Sequence, residues 1–364
     1  MALQCGIVGL PNVGKSTLFN SLSNAKAQAA NFPFCTIEPN VGVITVPDPR
    51  LEALAKIVNP QNVQPNTIEI VDIAGLVKGA SKGEGLGNQF LGNIRDTDAI
   101  IHVIRCFDDP NVIHVDGSVD PIRDKEIIDF ELGLKDLDSV DKRRQKVEKL
   151  LKTDKTAQKT FEVLSKVKSH LESGKSVRSL DLTESELEEI RELHLLTIKP
   201  VLYLANVEED AVLTGNAHTE KLAASIKDEN AEMLIVSAKI ESEIAELTDQ
   251  EERKDYLGMY GLTEPGINRL IRSAYKLLNL ITYFTAGVKE VRAWPIHQGD
   301  KAPQAAGVIH TDFEKGFIRA EVIAYDDYIK YQSEAACREV GKLMVEGKDY
   351  VVKDGDVMHF RFNV

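Results

Sequence analysis

The sequence predicts an α/β fold with a doubly wound, mostly parallel sheet, a helical insertion and a small C-terminal α+β domain. Apolar runs of four to eight residues, rich in Val and Ile, alternate with segments of helical periodicity in the first part of the chain. This alternation stops for about 70 residues, resumes near residue 200 and gives way to a different pattern from about residue 278. Continuous apolar runs are typical of strands buried on both faces, with helices covering the sheet.

The alternating part predicts a discontinuous domain over residues 1–130 and 200–277. Gly, Pro or Asp residues bound its predicted strands, which are Gln4–Val8, Val41–Val46, Ile68–Ile73, Ala99–Arg105, Val201–Asn206 and Met233–Ser237. The predicted crossover helices are Thr17–Ser23, Arg50–Val58 and Asn88–Asp96.

Residues 131–199 predict a helical, coiled-coil-like hairpin inserted between two strands. Gly and Pro are nearly absent there, and apolar residues recur three and four positions apart, as in Phe161, Leu164, Val167 and Leu171. A turn is expected at 174–176, and Thr183 with Glu186 forms a capping-box pattern for a following helix.

Residues 278–364 predict a compact α+β module. One helix is expected among its strands, near Ser333–Met344. The predicted strands are Thr282–Thr285, Val291–Pro295, Gly316–Val322 and Val357–Phe362.

Composition excludes several classes of protein. The chain has 364 residues, of which 43% are hydrophobic and 28% charged, which argues against disorder, collagen-like fibres and multi-span membrane proteins. The start, Met1–Gly6, lacks the basic region of a signal peptide. The four cysteines, Cys5, Cys35, Cys106 and Cys337, show no metal-binding spacing, so we expect a cytoplasmic protein without membrane partners.

The net charge of −13 hides a basic stretch. Between Lys142 and Arg178 twelve Lys or Arg face four acids, so this segment carries +8 and the rest of the chain −21. A solvated helical face and a contact with RNA phosphates are both open interpretations. The acidic remainder argues against nonspecific nucleic-acid coating, and no DNA sequence specificity is expected.

A phosphate-binding loop is predicted at the end of the first strand. Gly9–Ser16 matches G-x-x-x-x-G-K-[ST], in which glycines let successive N–H groups face a phosphate. Lys15 is expected on the β- and γ-phosphates, where it also serves catalysis, and the Ser16 hydroxyl on Mg²⁺. The predicted nucleotide-binding residues of this loop are Asn12, Val13, Gly14, Lys15, Ser16 and Thr17.

Further magnesium and γ-phosphate contacts are expected from two other segments. Asp72 ends a predicted strand opposite the loop and can hold Mg²⁺ through water, while the N–H of Gly75 can approach the γ-phosphate. Thr36, between the first helix and the second strand, can add a hydroxyl to the metal, as switch loops do.

These motifs resemble the Obg-related branch of P-loop NTPases, specifically the YchF/Obg-like ATPase family. The resemblance covers essentially the whole chain and implies an ATPase that favours ATP over GTP and binds ribosomes. The C-terminal module resembles a TGS domain, a β-grasp fold. The residues that carry the resemblance are Gly9–Thr17, Phe34–Gly42, Asp72–Leu76, Val291–Pro295, Gly307–Phe313, Gly316–Ala320 and Lys353–Val357.

The base-recognition segment departs from a guanine site. Guanine-specific sites carry Asn-Lys-x-Asp, whereas Asn206 is followed here by Val207, Glu208 and Glu209. Asn206 and nearby backbone groups are expected to bind adenine through its N6 amino group and its N1 and N7 acceptors. The longer Glu209 displaces the paired acceptor by one methylene, so the sequence predicts that ATP is favoured over GTP. Ser237 and Ala238 follow the next predicted strand and are expected to close over the base.

The group that activates the attacking water is open. Leu76 replaces the usual glutamine, so intrinsic hydrolysis should be slow. His114, on a loop after a predicted strand, is one candidate catalytic residue. A bound K⁺ assisted by Asn12 is the other.

The sequence therefore predicts a Mg²⁺-dependent ATPase that switches conformation with its nucleotide. Its expected partner is the ribosome, or its large subunit, contacted through RNA by the basic helical arm and the TGS-like domain. A strict GTPase translation factor and a nucleotide-responsive protein-binding module in stress signalling are the alternatives.

Overall fold

The structure, a computed structural model, describes residues 3–28, 41–73, 86–114, 117–151, 153–229 and 231–363. These residues form two compact units. The first contains the described residues within 3–28, 41–43 and 69–270, and the second contains those within 44–68 and 271–363.

Strands and helices follow one another along the described residues. The strands are β1 (Gln4–Val8), β2 (Val41–Thr45), β3 (Asn62–Gln64), β4 (Thr67–Asp72), β5 (Ala99–Arg105), β6 (Val201–Asn206), β7 (Glu232–Val236), β8 (Leu280–Ala286), β9 (Glu290–His297), β10 (Phe317–Ile323), β11 (Met344–Glu346) and β12 (Val357–Phe362). The helices are α1 (Lys15–Gln28), α2 (Pro49–Val58), α3 (Leu86–Asp96), α4 (Pro121–Leu150), α5 (Gln158–Glu172), α6 (Glu184–Ile190), α7 (Ala217–Ser225), α8 (Ala238–Glu246), α9 (Gln250–Met259), α10 (Gly266–Leu277), α11 (Ala302–Ile309), α12 (Thr311–Lys315), α13 (Tyr325–Tyr331) and α14 (Glu334–Glu339).

The first sheet confirms the predicted α/β class. Its strand order is β2-β4-β1-β5-β6-β7, and β1, β4, β5, β6 and β7 pair in parallel. All residues of β5 and β6 are buried, as their apolar sequences predict. After β1 the chain forms β2 and β4 on one side of β1 and then crosses to β5 on the other side. Such a switch point places binding loops at the carboxyl ends of the strands.

The insertion is a helical hairpin in which α4 packs against α5. Asp120 caps α4 by accepting hydrogen bonds from the N–H groups of Ile122 and Arg123, so this helix begins before the predicted boundary. The predicted capping box at Thr183 and Glu186 is present at the start of α6. Buried residues of the hairpin form one apolar cluster: Val140, Val147, Val163, Leu164, Val167, Leu171, Val177, Ile190 and Leu195.

A buried carboxylate joins the two ends of the insertion. Asp136, in the middle of α4, accepts hydrogen bonds from the N–H groups of Leu196 and Thr197 and from the Thr197 hydroxyl, at 2.6–2.8 Å. Because a buried acceptor that loses its donors is costly, this residue fixes where the hairpin returns to the sheet.

The predicted basic surface of the hairpin is largely neutralised. Acids outside the basic stretch pair with several of its cations, including Asp138 with Lys142 and Glu186 with Lys166. Lys159 pairs with Glu189. Over residues 121–199 there are 17 basic and 17 acidic residues, so the insertion as a whole carries no net charge.

The second unit contains a mixed sheet of order β11-β10-β12-β8-β9-β3. Strands β8 and β9 form an antiparallel hairpin, β12 lies parallel to β8, and β10 is antiparallel to both β12 and β11. A hairpin whose first strand pairs in parallel with the last strand is the arrangement of a β-grasp sheet. Trp294 lies in this core, 9% exposed, and its indole N–H donates to Thr285.

Residues 44–68 belong to this second unit, although the sequence assigned them to the nucleotide-binding domain. Strand β3 pairs in parallel with β9. Helix α2, predicted as a crossover on the first sheet, buries Leu51 and Leu54 against Phe284 and Val291 instead. Its apolar stripe is compatible with either sheet, so the choice is made by tertiary packing.

The prediction of one helix near Ser333–Met344 was wrong in extent and in number. Helix α14 ends at Glu339 because Gly341 adopts a left-handed conformation (φ 72°) that stops the helix, and Met344 already begins β11. Three further helices, α11, α12 and α13, lie among the strands of the same module.

Within the described ranges, no helix combines the length and the apolar character needed to cross a lipid bilayer.

His102, on β5, makes the stability of the first unit depend on pH. Burial lowers the pKa of this imidazole to about 4, against a smaller opposing effect of Asp129, so the folded state holds it neutral. Since the unfolded chain protonates near pH 6.5, stability is lost as the pH falls below that value. We expect the free energy of unfolding to fall by about 2 kcal/mol through this residue as the pH is lowered from about 7.5 to about 5.

Urea unfolding of the wild type and of His102→Phe across this pH range measures the effect. The phenyl ring retains an aromatic contact with Tyr203 and cannot titrate. Equal pH slopes for the two proteins would contradict the assignment.

Candidate nucleotide site

The phosphate loop curls between β1 and α1 at the carboxyl edge of the first sheet. Gly14 has φ 93° and Asn12 has φ 62°, so two positions of the loop adopt the left-handed conformation. A Cβ on Gly9 would lie 2.7 Å from the Val103 carbonyl oxygen, which shows how closely the loop approaches β5. Ser16 and Thr17 are exposed in the first turn of α1.

The predicted cation and the predicted metal carboxylate lie together. Lys15 is 8% exposed, and its Nζ donates to Asp72 Oδ1 at 2.5 Å and to the Ile73 carbonyl at 2.8 Å. Asp72 ends β4, next to β1 in the sheet, and this adjacency brings residues 57 positions apart into contact. Thr36 and Gly75 lie outside the described residues.

Asn206 holds three loops of the site together. Its Nδ2 donates to the Val13 carbonyl at 2.9 Å, and its Oδ1 accepts from the Ala238 N–H at 2.8 Å. Its backbone carbonyl accepts from Cys106 N–H at 2.8 Å. Both ends of the amide, which the sequence assigned to the base, therefore have partners within the protein.

The other predicted base-recognition residues surround this amide. Val207 is buried, and Glu209 forms an ion pair with Lys239 that lowers the pKa of the carboxyl group. The Ser237 hydroxyl oxygen is buried and has no hydrogen-bond partner among the described residues. A buried hydroxyl of this kind at the start of α8 requires a partner such as water or a ligand group.

His114 is buried next to the phosphate loop. It is 8% exposed, and its Nε2 is 2.8 Å from Asp124 Oδ2 on α4, while Arg123 Nη2 is 3.5 Å from its Nδ1. The preceding carbonyl, that of Ile113, accepts a hydrogen bond from Asn12 Nδ2 at 3.1 Å. The two candidates for water activation are thus structurally linked.

Sequence reasoning missed two contributors to this arrangement, Arg105 and Asp124. Asp124 orients the His114 ring from the first turn of α4. Arg105 is fully buried at the end of β5, where a charged residue closes an otherwise apolar run. A charged residue at the end of a predicted buried strand was the one signal in the sequence that could have identified Arg105.

The arrangement fits a magnesium-bound purine triphosphate. Gly9 and Gly14 stand where a Cβ would clash with neighbouring atoms, and the buried cation Lys15 lies at the end of the loop. Oxygen atoms, such as those of hydroxyl and carboxylate groups, are the ligands that Mg²⁺ prefers. Lys15 would hold phosphate oxygens, while Ser16 and Asp72 would face the metal, which supplies charge neutralisation when bound.

Full-length relatives decide the family. The ribosome-binding ATPase YchF of Haemophilus ducreyi is 58% identical over 365 residues, covering all of both chains. The proteins of the same name from Escherichia coli O157:H7 and Bacillus subtilis are 57% and 56% identical, also over their full lengths. This chain belongs to the YchF family.

Family models and a solved structure agree with this assignment. A model described as a 50S ribosome-binding GTPase matches residues 4–166, and the YchF GTPase C-terminal model, described as a protein of unknown function, matches residues 280–363. The structure of the Schizosaccharomyces pombe YchF GTPase superposes with a TM-score of 0.90 at 40% identity, covering 99% of this chain and 97% of that one. YchF membership thus confirms the predicted family and fold class.

Gly14→Ala tests the phosphate loop. The added Cβ would lie 2.2 Å from Asn206 Nδ2 and would strain the backbone at φ 93°, so the loop must shift. We expect the ATP affinity to fall at least about tenfold and the free energy of unfolding to drop by about 1–3 kcal/mol.

Gly133→Ala is the matched control. Gly133 lies within α4, nothing lies within 4 Å of its added Cβ, and alanine favours the helix by about 0.5–1 kcal/mol. Calorimetry and urea unfolding of both variants check the prediction, and unchanged ATP binding by Gly14→Ala would refute it.

Proposed function

We propose that this protein is a Mg²⁺-dependent ATPase that acts as a nucleotide-controlled, ribosome-binding switch in the cytoplasm. The contact of Lys15 with Asp72 at the edge of the sheet carries the enzymatic part, because it joins a phosphate-binding cation to a metal-binding carboxylate. The ribosomal part follows from membership of a family whose bacterial members bear the name ribosome-binding ATPase.

Recognition of the base involves the segments around Asn206. In this proposal the amide of Asn206 positions the loops, while Val207, Ser237 and Ala238 contact the base and Glu209 lies at its edge. The ion pair with Lys239 draws Glu209 away from the role of a paired acceptor for guanine. Discrimination against GTP thus rests on the missing acceptor.

ATP is expected to bind more tightly than GTP when both are titrated with Mg²⁺ in a calorimeter. Lys15→Ala should abolish most binding of either nucleotide, because no other described cation faces the phosphate loop in this way. Lys142→Ala, an exposed cation on the hairpin, serves as the control and should leave both affinities unchanged. Tighter GTP binding would support a strict GTPase.

Hydrolysis requires a group that positions water, and we assign this role to His114. Asp124 faces one ring nitrogen of His114, as an orienting carboxylate does in many acid–base pairs. A K⁺ ion near Asn12 is the second candidate, supported by the position of Asn12 in the loop. The γ-phosphate would order segments that include Thr36 and Gly75, and hydrolysis would release them.

RNA contact is proposed for the tip of the hairpin. Lys146, Lys149 and Lys155 are exposed where α4 ends and α5 approaches, and no acid among the described residues pairs with them. In the TGS-like module, Lys315 is a further candidate, whereas Arg319 and Arg361 both face Glu321. The unpaired cations at the tip are therefore the preferred phosphate contacts.

Replacing Lys146, Lys149 and Lys155 together by Gln should weaken binding to purified ribosomal subunits and reduce its salt dependence. The slope of log affinity against log salt is negative, and each lost phosphate contact makes it shallower by roughly 0.7–0.9. The matched control replaces Lys142, Lys159 and Lys168, which are paired with acids on the same hairpin.

Co-sedimentation across a salt series measures both triple variants. The control should bind like the wild type. If both variants bind equally well, the tip is not the contact, and salt-insensitive binding of the wild type would favour a protein partner.

A further inference from the structure

Arg105 is a buried cation whose charge is held without a carboxylate. Its residue is 2% exposed, and no acid in the described part of the chain forms an ion pair with it. The guanidinium instead donates from Nε to the Phe107 carbonyl at 3.0 Å, from Nη1 to the Val112 carbonyl at 2.8 Å and from Nη2 to the Asp109 carbonyl at 3.2 Å. Burying a charge in this way is costly unless its donors are satisfied.

These three carbonyls define the path of one loop. The Val112 N–H also donates to the Asp109 carbonyl, and the Asn111 N–H donates to Asp109 Oδ1, so residues 109–112 form a tight turn. The guanidinium lies over the Phe107 ring, 4.5 Å from its centroid. Arg105 therefore fixes both the start and the end of the segment from Phe107 to Val112.

The far end of this segment reaches the site. Ile113 accepts the hydrogen bond from Asn12 of the phosphate loop, and His114 follows directly with its ring against Asp124. A displacement of Val112 would thus move the backbone that joins the phosphate loop to the proposed catalytic imidazole. A shift of about 1 Å at such a position can reduce the rate about a hundredfold.

We infer that Arg105 is a positioning residue for hydrolysis, which sets the loop that carries His114 against the phosphate loop. This inference rests on the proposed catalytic role of His114. Arg105 donates to carbonyl groups of the 107–112 segment and to no residue of the phosphate loop. Its loss should therefore change the hydrolysis rate and leave the nucleotide affinity unchanged.

The experiment compares single-turnover ATP hydrolysis and ATP affinity for Arg105→Met, His114→Ala and the double variant. We expect each single variant to lower the hydrolysis rate about a hundredfold, with ATP affinity unchanged within about twofold. The double variant should be no slower than His114→Ala alone, because residues that act as one unit are not additive.

Two milder variants keep the test valid if Arg105→Met does not fold. Arg105→Lys retains the charge but has no fork of donors, and it should recover part of the rate, to within about tenfold of the wild type. Phe107→Leu removes the ring under the guanidinium while leaving the carbonyl in place, and it should slow hydrolysis a few-fold.

Lys199→Met is the matched control. Lys199 is also a largely buried cation held by backbone carbonyls, those of Arg95 and Thr97, but it precedes β6 at the opposite edge of the same sheet. We expect a lower melting temperature and an unchanged hydrolysis rate.

The outcomes separate the two hypotheses. A wild-type rate for His114→Ala would overturn the catalytic role of His114 and, with it, the inference. A slow His114→Ala combined with a wild-type rate for folded Arg105→Met, or with fully additive losses in the double variant, would overturn the role of Arg105 alone.

Discussion

The amide of Asn206 is the constraint on which the rest of the site depends. It joins the phosphate loop, through the Val13 carbonyl, to the start of α8, through the Ala238 N–H, while its own backbone holds the residue after β5. Three loops that leave different strands are thereby fixed to one residue, two by its side chain and one by its backbone carbonyl. This arrangement also favours glycine at position 14, since a Cβ there would lie 2.2 Å from the amide nitrogen of Asn206.

Four charged residues link the base of the hairpin to the rest of the first unit. Lys125 and Arg178 face Asp129 and Glu229 in a buried ionic network below the hairpin. Burial alone would raise the pKa of Asp129, but the two cations lower it overall. Removal of one member would leave an uncompensated charge, which is far more costly than loss of the whole network. The network therefore specifies where the hairpin meets the sheet.

Buried polar groups hold several of the described segments where the chain leaves a strand or returns to it. Asp136 fixes the return of the hairpin, Arg105 shapes the loop after β5, and Lys15 with Asp72 joins the ends of neighbouring strands. Each satisfies backbone groups or a partner charge that would be costly to leave unpaired in the interior. The loops of the site are thus held by polar contacts, whereas the sheet is held by apolar packing.

The sequence by itself determined the strands of the first sheet and the phosphate loop. Short runs rich in Val and Ile, such as the one in Ala99–Arg105, favour buried strands, and the spacing of Gly9, Gly14 and Lys15 is typical of a phosphate-binding loop. The tertiary structure alone decided that α2 packs on the second sheet, that Asn206 holds loops together, and that Asp138 and Glu186 neutralise cations of the hairpin. The physical reason is that local patterns record which face of a segment is apolar or charged, whereas its partner is set by residues distant in the chain.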